Sequence, residues 1–204
     1  ASRPMEPVLL GISGCTSTIS MVRILTERLL LDELTPADAE EMFPYRADPE
    51  LCRYQSWEPM TSLEEVEHFI AEVSATLFNT TGTWFQIAIR HQKTGQLLGD
   101  LGVHFLSDAP QQVELGFTIS STHQRKGYAT EAVQGLLQYL FQDCKKHRIT
   151  ASVDPRNQAS LALLKKVGFK QEAHFRKSLW FKGAWVDDIV FAILRSEFSP
   201  SRKK

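Results

Sequence analysis

Residues 113–120, VELGFTIS, place Val113, Leu115, Phe117 and Ile119 on one side and Glu114, Gly116 and Thr118 on the other. This alternation is that of a strand with one buried face. Just beyond it the period changes. Ala129, Ala132, Val133, Leu136, Leu137, Leu140 and Phe141 recur at helical spacing, which predicts a long helix over residues 126–144.

The same two periods divide the rest of the chain. Residues 22–34, VRILTERLLLDEL, contain an alternating, Leu-rich piece that reads as a strand. Thr35 then caps, and Pro36 opens, a helix over ADAEEMFPYRAD with acids in its first turn. Residues 49–61 read as a loop carrying Tyr54, Trp57 and Pro59. Leu63, Val66, Phe69, Ile70, Val73 and Leu77 define a second helix behind a Thr61 or Ser62 cap, with Glu64 or Glu65 closing the capping box. Strands are expected at 84–90 and 97–106, with turns at 91–96 and 107–112. RITASV, 148–153, is another strand, and Pro155 to Val167 a helix stopped by Gly168. Residues 168–175 and 178–195 are two closing strands that turn near Lys182-Gly183.

The resulting order is β-α-α-β-β-β-α-β-α-β-β. A meander implies antiparallel pairing. The long helix between two strands implies that 113–120 and 148–153, the fourth and fifth strands in chain order, run parallel. The expected fold class is α+β (mixed α/β): a central, mostly antiparallel sheet with helices on both faces. Without repeats, low complexity or a linker, residues 22–198 are expected to form a single domain. Residues 1–21 are expected to be a poorly ordered or non-native N-terminal extension, and 199–204 a polar tail.

Composition narrows the chemistry. The formal net charge of -1 calls for neither nucleic acid nor an anionic membrane as partner. Cys15, Cys52 and Cys144 are odd in number and lack CxxC spacing, which suits a reducing, cytoplasmic setting. The six histidines show no paired-ligand spacing, so no metal is expected. The apolar run Val8 to Ile12 is too short for a signal sequence or a membrane span. GISG followed by CTS is similar to the start of a P-loop, but its lysine is absent and no helix pattern follows, which disfavours nucleotide phosphotransfer.

The stretch HQRKGYATEA, 123–132, opens the long helix. A helix start carries unsatisfied N–H groups and about half a positive charge. Gly127 lets backbone approach a bulky anion, and Arg125 and Lys126 add charge, so the stretch suits a pyrophosphate. On these residues alone a solvated basic helix start remains the alternative.

Gln124-Arg125-Lys126-Gly127-Tyr128-Ala129 resembles the Q/R-x-x-G-x-G/A signature of the GNAT (Gcn5-related) N-acetyltransferases. VELGFTIS resembles the strand before that signature, and NQASLALLKKVGF, 157–169, the family's N-x-x-S/A…GF helix. TERLLLDELTPAD and WEPMTSLEEVEHFI resemble the RimJ/RimL-type branch (ribosomal-protein N-acetyltransferase-like), and together these pieces span roughly residues 22–196.

The resemblance implies the GNAT fold, in which the parallel strand pair splays to admit coenzyme A, with acetyl-CoA as co-substrate. It places the pyrophosphate on the amides of Arg125, Lys126, Gly127, Tyr128, Ala129 and Thr130, with Gln124 as a further signature position. It pairs the pantetheine arm with the backbone of Phe117, Thr118 and Ile119, as an added strand. Asn157 is implied at the pantetheine or thiol end, with Ser160 one helical turn later.

Acyl transfer from a thioester requires a neutral amine, hence a base, and a donor for the oxyanion. A strand N–H near Phe117 or Thr118 would be that donor. Glu114 matches the E-L-G glutamate that faces the amine in RimJ/RimL-type relatives; a surface carboxylate is the bland alternative. Many members carry a tyrosine acid four residues before the G-F pair, where this chain has Leu164, which leaves Ser160 or a water held by Asn157 to substitute. Tyr128 would pack beside the cofactor. Tyr54, Trp57 and Trp185 are candidates to wall an acceptor pocket through cation–π contact, or simply to pack. Asp187 and Asp188 would draw a cationic acceptor or cap a strand.

The expected function is N-acetyl transfer from acetyl-CoA to a primary amine, by direct attack in a ternary complex. The acceptor is a protein or peptide N-terminus or a small molecule. The alternative is a catalytically silent acyl-CoA-binding sensor or interaction module. A free sheet edge near the C-terminus suggests a homodimer.

Overall fold

The structure, a computed structural model, describes residues 22–199. Cys15, the GISG piece and residues 200–204 lie outside the described residues. Eight strands form one sheet in the order β1-β2-β3-β4-β5-β6-β8-β7. They are β1 (Arg23–Leu25), β2 (Leu29–Glu33), β3 (Thr83–His91), β4 (Leu97–Phe105), β5 (Gln112–Ile119), β6 (Arg148–Val153), β7 (Lys170–Phe181) and β8 (Ala184–Leu194). The helices are α1 (Ala39–Arg46), α2 (Pro49–Cys52), α3 (Leu63–Ser74), α4 (Tyr128–Gln142) and α5 (Gln158–Lys166). Among the described residues only β5 and β6 pair in parallel, as the crossover through α4 requires.

Residues 22–34 are not one strand. The chain folds back at Thr26, whose N–H donates to Leu29 O at 3.0 Å, and β1 pairs antiparallel with β2. The segment 49–61 contains α2, capped by Asp48 accepting from Glu50 N, with Pro49 at its first turn. Before α1, Pro36–Asp38 makes a 3-10 turn. The helix expected to reach Leu77 stops at Ser74, and Leu77 is exposed.

Successive residues of β3 feed different cores. Ile87 and Ile89 pack with α4 residues Val133, Leu136, Leu137 and Leu140, whereas Ala88 packs with Met42, Tyr45, Val66 and Ile70 of α1 and α3. The sheet is therefore covered on both faces, as period two dictates.

Two features of β4, β5 and β6 shape the site. Pairing of β5 with β6 is confined to Gln112–Arg148, Val113–Ile149 and Glu114–Thr150. Beyond Glu114, β5 continues along β4 to Ile119 and β6 continues along β8 to Val153, so the two strands part. The second feature is Gly99. A Cβ there would stand 2.1 Å from Thr118 O and 2.9 Å from Ile119 Cα, so only glycine lets β4 approach β5 this closely. Gly99→Ala is expected to cost about 3 kcal/mol of unfolding free energy. Chemical denaturation measures this, with Gly116→Ala as a near-neutral control because a Cβ at Gly116 meets nothing within 4 Å.

Candidate active site

The loop after β5 makes a 3-10 turn at Ser121–His123, then passes through left-handed backbone at Arg125 (φ 59°) and Gly127 (φ 81°). Such alternation turns successive N–H groups toward one point. Gly127 is the N-cap of α4 and carries no side chain to occupy the first-turn N–H groups. The loop's own side chains brace it: Gln124 Nε2 donates to Ile119 O at 3.1 Å, and Lys126 Nζ to Thr122 O at 3.0 Å.

The cradle is also held from outside. Glu131, in the first turn of α4, accepts from Thr26 Oγ1 at 2.6 Å and from the Arg28 N–H and Nε, each at 2.7 Å. Burial pushes the Glu131 carboxyl up, but these hydrogen bonds outweigh it and hold the group below its ordinary range. Arg28 Nη1 donates to Lys126 O at 3.0 Å, and its guanidinium lies 4.7 Å from the centre of the Tyr128 ring.

A cleft of about 480 Å³ opens between this loop, the outer edge of β5 and α5. It brings together Phe117, Thr118, Ile119, Gln124, Arg125, Gly127, Tyr128, Ala129, Thr130, Asn157 and Ser160. Lys126 does not line it, because its ammonium turns back onto Thr122. Asn157 caps α5, its Oδ1 accepting from Ser160 N at 3.1 Å, which leaves its amide NH2 to donate. Gln55 reaches in from the loop after α2 and donates to Phe117 O at 3.3 Å. Leu164 is fully buried in the core and does not line the cleft.

Glu114 is the last β5 residue to pair with β6 before the strands part, and it lies outside the cofactor-sized cleft. It faces His104 across β4, with His104 Nδ1 3.8 Å from its carboxylate. Trp84 stacks on His104 at 4.8 Å and 9°. Gly116, next along that face, borders open space.

The three candidate acceptor aromatics have separate surroundings. Tyr54 sits near the guanidinium groups of Arg53 and Arg156, at 5.4 and 5.8 Å. Trp57 lies 4.1 Å over Arg46, which is buried and paired with Asp100 at 3.0 Å. Trp185 is exposed and meets Trp180 edge-on at 5.4 Å in the β7–β8 hairpin. Asp187 is taken up by His174 at 2.8 Å and by Lys177 N at 3.0 Å, and Asp188 by Ser152 at 2.6 Å. Arg28, Gln55, Trp84, His104 and Glu131 escape a reading of the sequence as a site. Only the TERL and ATEA pieces hint at two of them, and their contact spans 103 residues.

The residues present fit coenzyme A: a cationic cradle at a helix start, then a strand edge able to receive an amide-bearing arm. An acetyltransferase (GNAT) domain model matches residues 28–170. The chain belongs to the GNAT acetyltransferases. The uncharacterized N-acetyltransferase YoaA of Bacillus subtilis (strain 168) is 32% identical over 170 residues, covering 83% of this chain and 95% of that protein. The [ribosomal protein uS5]-alanine N-acetyltransferase of Escherichia coli (strain K12) is 25% identical over 195 residues, covering 93% and 99%. The crystal structure of a GNAT-family acetyltransferase from Bacillus anthracis superposes with a TM-score of 0.76 at 26% identity, covering 86% of this chain and all of that one. The GNAT fold and the RimJ/RimL-type kinship are thus both present, and the chain is an acetyl-CoA-dependent N-acetyltransferase. Among the described residues no helix is long and apolar enough to cross a membrane.

Proposed function

We propose that this GNAT enzyme acetylates the α-amine of a peptide or protein N-terminus by direct attack in a ternary complex, with Glu114 as base. The observation that carries the reading is the position of Glu114 at the fork: cofactor groove on one side, open sheet face on the other. The name of the Escherichia coli relative, an alanine N-acetyltransferase of a ribosomal protein, favours a peptide acceptor over a small amine.

Acetyl-CoA supplies an acyl group activated as a thioester. The cradle from Arg125 to Thr130 binds its pyrophosphate, and the β5 edge from Phe117 to Ile119 holds its arm in line with the fork. Glu114 takes a proton from the bound ammonium so that the neutral amine attacks, and His104 stands beside it, its Nδ1 3.8 Å from the carboxylate. A β5 N–H at the fork donates to the oxyanion. Asn157 and Ser160 are polar groups of the cleft at the start of α5 and would stand at the thiol end. A thiol of pKa about 8.5 leaves as thiolate without a strong acid, so Leu164 in the family's usual tyrosine position is no obstacle.

Calorimetric titration with acetyl-CoA, followed by product detection on N-terminal peptides and on a polyamine, tests this reading. Tight binding and peptide acetylation are expected. Acetylation of the polyamine alone would overturn the acceptor class. Binding without turnover on any amine would overturn the enzyme mechanism in favour of a silent module.

A further inference from the structure

We propose that Gly116 determines acceptor specificity: it keeps clear the place beside Glu114 that receives the main chain of the acceptor's first residue. The proposal rests on the reading of Glu114 as base for a peptide amine and deepens it.

A glycine inside a strand weakens that strand, because it loses the most freedom on folding and packs nothing. The fold accounts for the other described glycines. Gly82, Gly95, Gly127, Gly168 and Gly183 hold positive φ. A Cβ on Gly99 would strike Thr118 O at 2.1 Å, one on Gly135 the Thr26 methyl at 2.7 Å, and one on Gly102 the Trp84 ring at 3.2 Å. Gly116 has neither reason. Its φ is not positive, and a Cβ there meets nothing within 4 Å, although it stands inside β5. The cofactor does not explain it either, since Phe117, Thr118 and Ile119 line the cleft and Gly116 does not. A strand glycine that the fold does not require marks a close approach from outside.

The neighbours indicate what approaches. Glu114 lies two residues away on the same face of β5, about 7 Å along the strand. In the register with β4, Gly116 stands opposite Gly102, and Glu114 opposite His104. The Trp84 ring stacks on His104, reaches over Gly102 and is 44% exposed, so it walls the β4 side. On the other side β6 pairs with β5 no further than Glu114, so no strand closes the space. The opening is bounded by the base, the indole and the fork, and its floor is bare backbone. An α-amine at the Glu114 carboxylate brings its Cα and first peptide group with it. Gly116 leaves the room that they need.

The experiment compares the wild type with Gly116→Ala and Gly116→Val, using acetyl-CoA and two short peptides, one beginning with glycine and one with alanine. Gly116→Val is expected to lower kcat/KM for the alanine-first peptide about tenfold to a hundredfold, the range of a methyl group or two in a fitted site. The glycine-first peptide should lose less, and Gly116→Ala should fall between wild type and Gly116→Val. The Kd for acetyl-CoA and the unfolding midpoint should stay at their wild-type values. The deficit should hold constant with pH because the base is retained, which separates it from damage to Glu114. Gly116→Ala places one methyl in empty space and folds, so it carries the test on its own if the valine variant does not fold. Turnover of both peptides at the wild-type rate by the substituted enzymes overturns the proposal and leaves the reading of Glu114 intact. A parallel loss of acetyl-CoA affinity also overturns it, because Gly116 would then serve the cofactor. A wild type that acetylates neither peptide overturns both readings together.

Discussion

Gly127→Asp is expected to abolish acetyl-CoA binding in a chain that still folds. Gly127 adopts φ 81° and ψ 1°, a left-handed conformation that aspartate and asparagine tolerate better than other side chains. Its Cβ would meet nothing closer than Arg28 Nη2 at 3.3 Å, the end of a side chain that can yield. The new carboxylate would lie at the start of α4, beside the loop proposed to hold the pyrophosphate and within reach of Arg28. Two unit charges about 4 Å apart in a partly screened site repel by about 4 kcal/mol. That corresponds to about a thousandfold in affinity. Gly127→Asn, matched in shape but neutral, should lose far less, and the difference between the two measured by calorimetry isolates the electrostatic part. If the aspartate variant binds acetyl-CoA as well as the asparagine variant does, the pyrophosphate lies elsewhere.

Glu114→Gln is expected to lower turnover by about a hundredfold to ten-thousandfold, the range of a positioned proton acceptor, with CoA affinity unchanged. Affinity should hold because Glu114 does not line the cofactor cleft. The pH profile gives the sharper reading. Near neutrality an α-amine with pKa about 8 is mostly protonated and needs the base; above that pH it attacks unaided. The gap between wild type and variant should therefore narrow as pH rises through about 8. A deficit that stays constant with pH would mean that Glu114 orients the acceptor rather than accepting its proton. Turnover equal to wild type would remove it from the mechanism.

Much of this site is visible in one dimension because it is local. The alternation at 113–120 places Glu114 and Phe117 on opposite faces of β5, and the register with β4 keeps them there, although Thr118, on the polar side of the pattern, is buried. Likewise, the cradle residues from Gln124 to Thr130 are contiguous, and they line the cleft together except for Lys126. What escaped the pattern is of two kinds. Short elements have no period: α2 spans only Pro49–Cys52, and the unbroken Leu-rich run hides the turn between β1 and β2. Relations between distant residues leave no trace either. Nothing in the spacing of Arg28 and Glu131 shows that they meet, and nothing near Thr150 shows that its strand parts from β5 one residue after Glu114. The surroundings of the aromatics are equally invisible in the sequence. Trp57 lies over the buried Arg46, a partner that residue type alone does not reveal.

The exposed edge of β5 poses a hazard as well as an opportunity. A row of open backbone groups invites any extended chain, including an unfolding neighbour of the same kind. Here two glutamines stand guard: Gln55 on the carbonyl of Phe117 and Gln124 on that of Ile119. Each side chain offers the amide that a strand would offer, without the strand. A stray peptide must evict both in exchange for bonds no better than those it breaks. Only a visitor with a second anchor would gain by the trade, so selectivity against aggregation comes from side chains that imitate backbone.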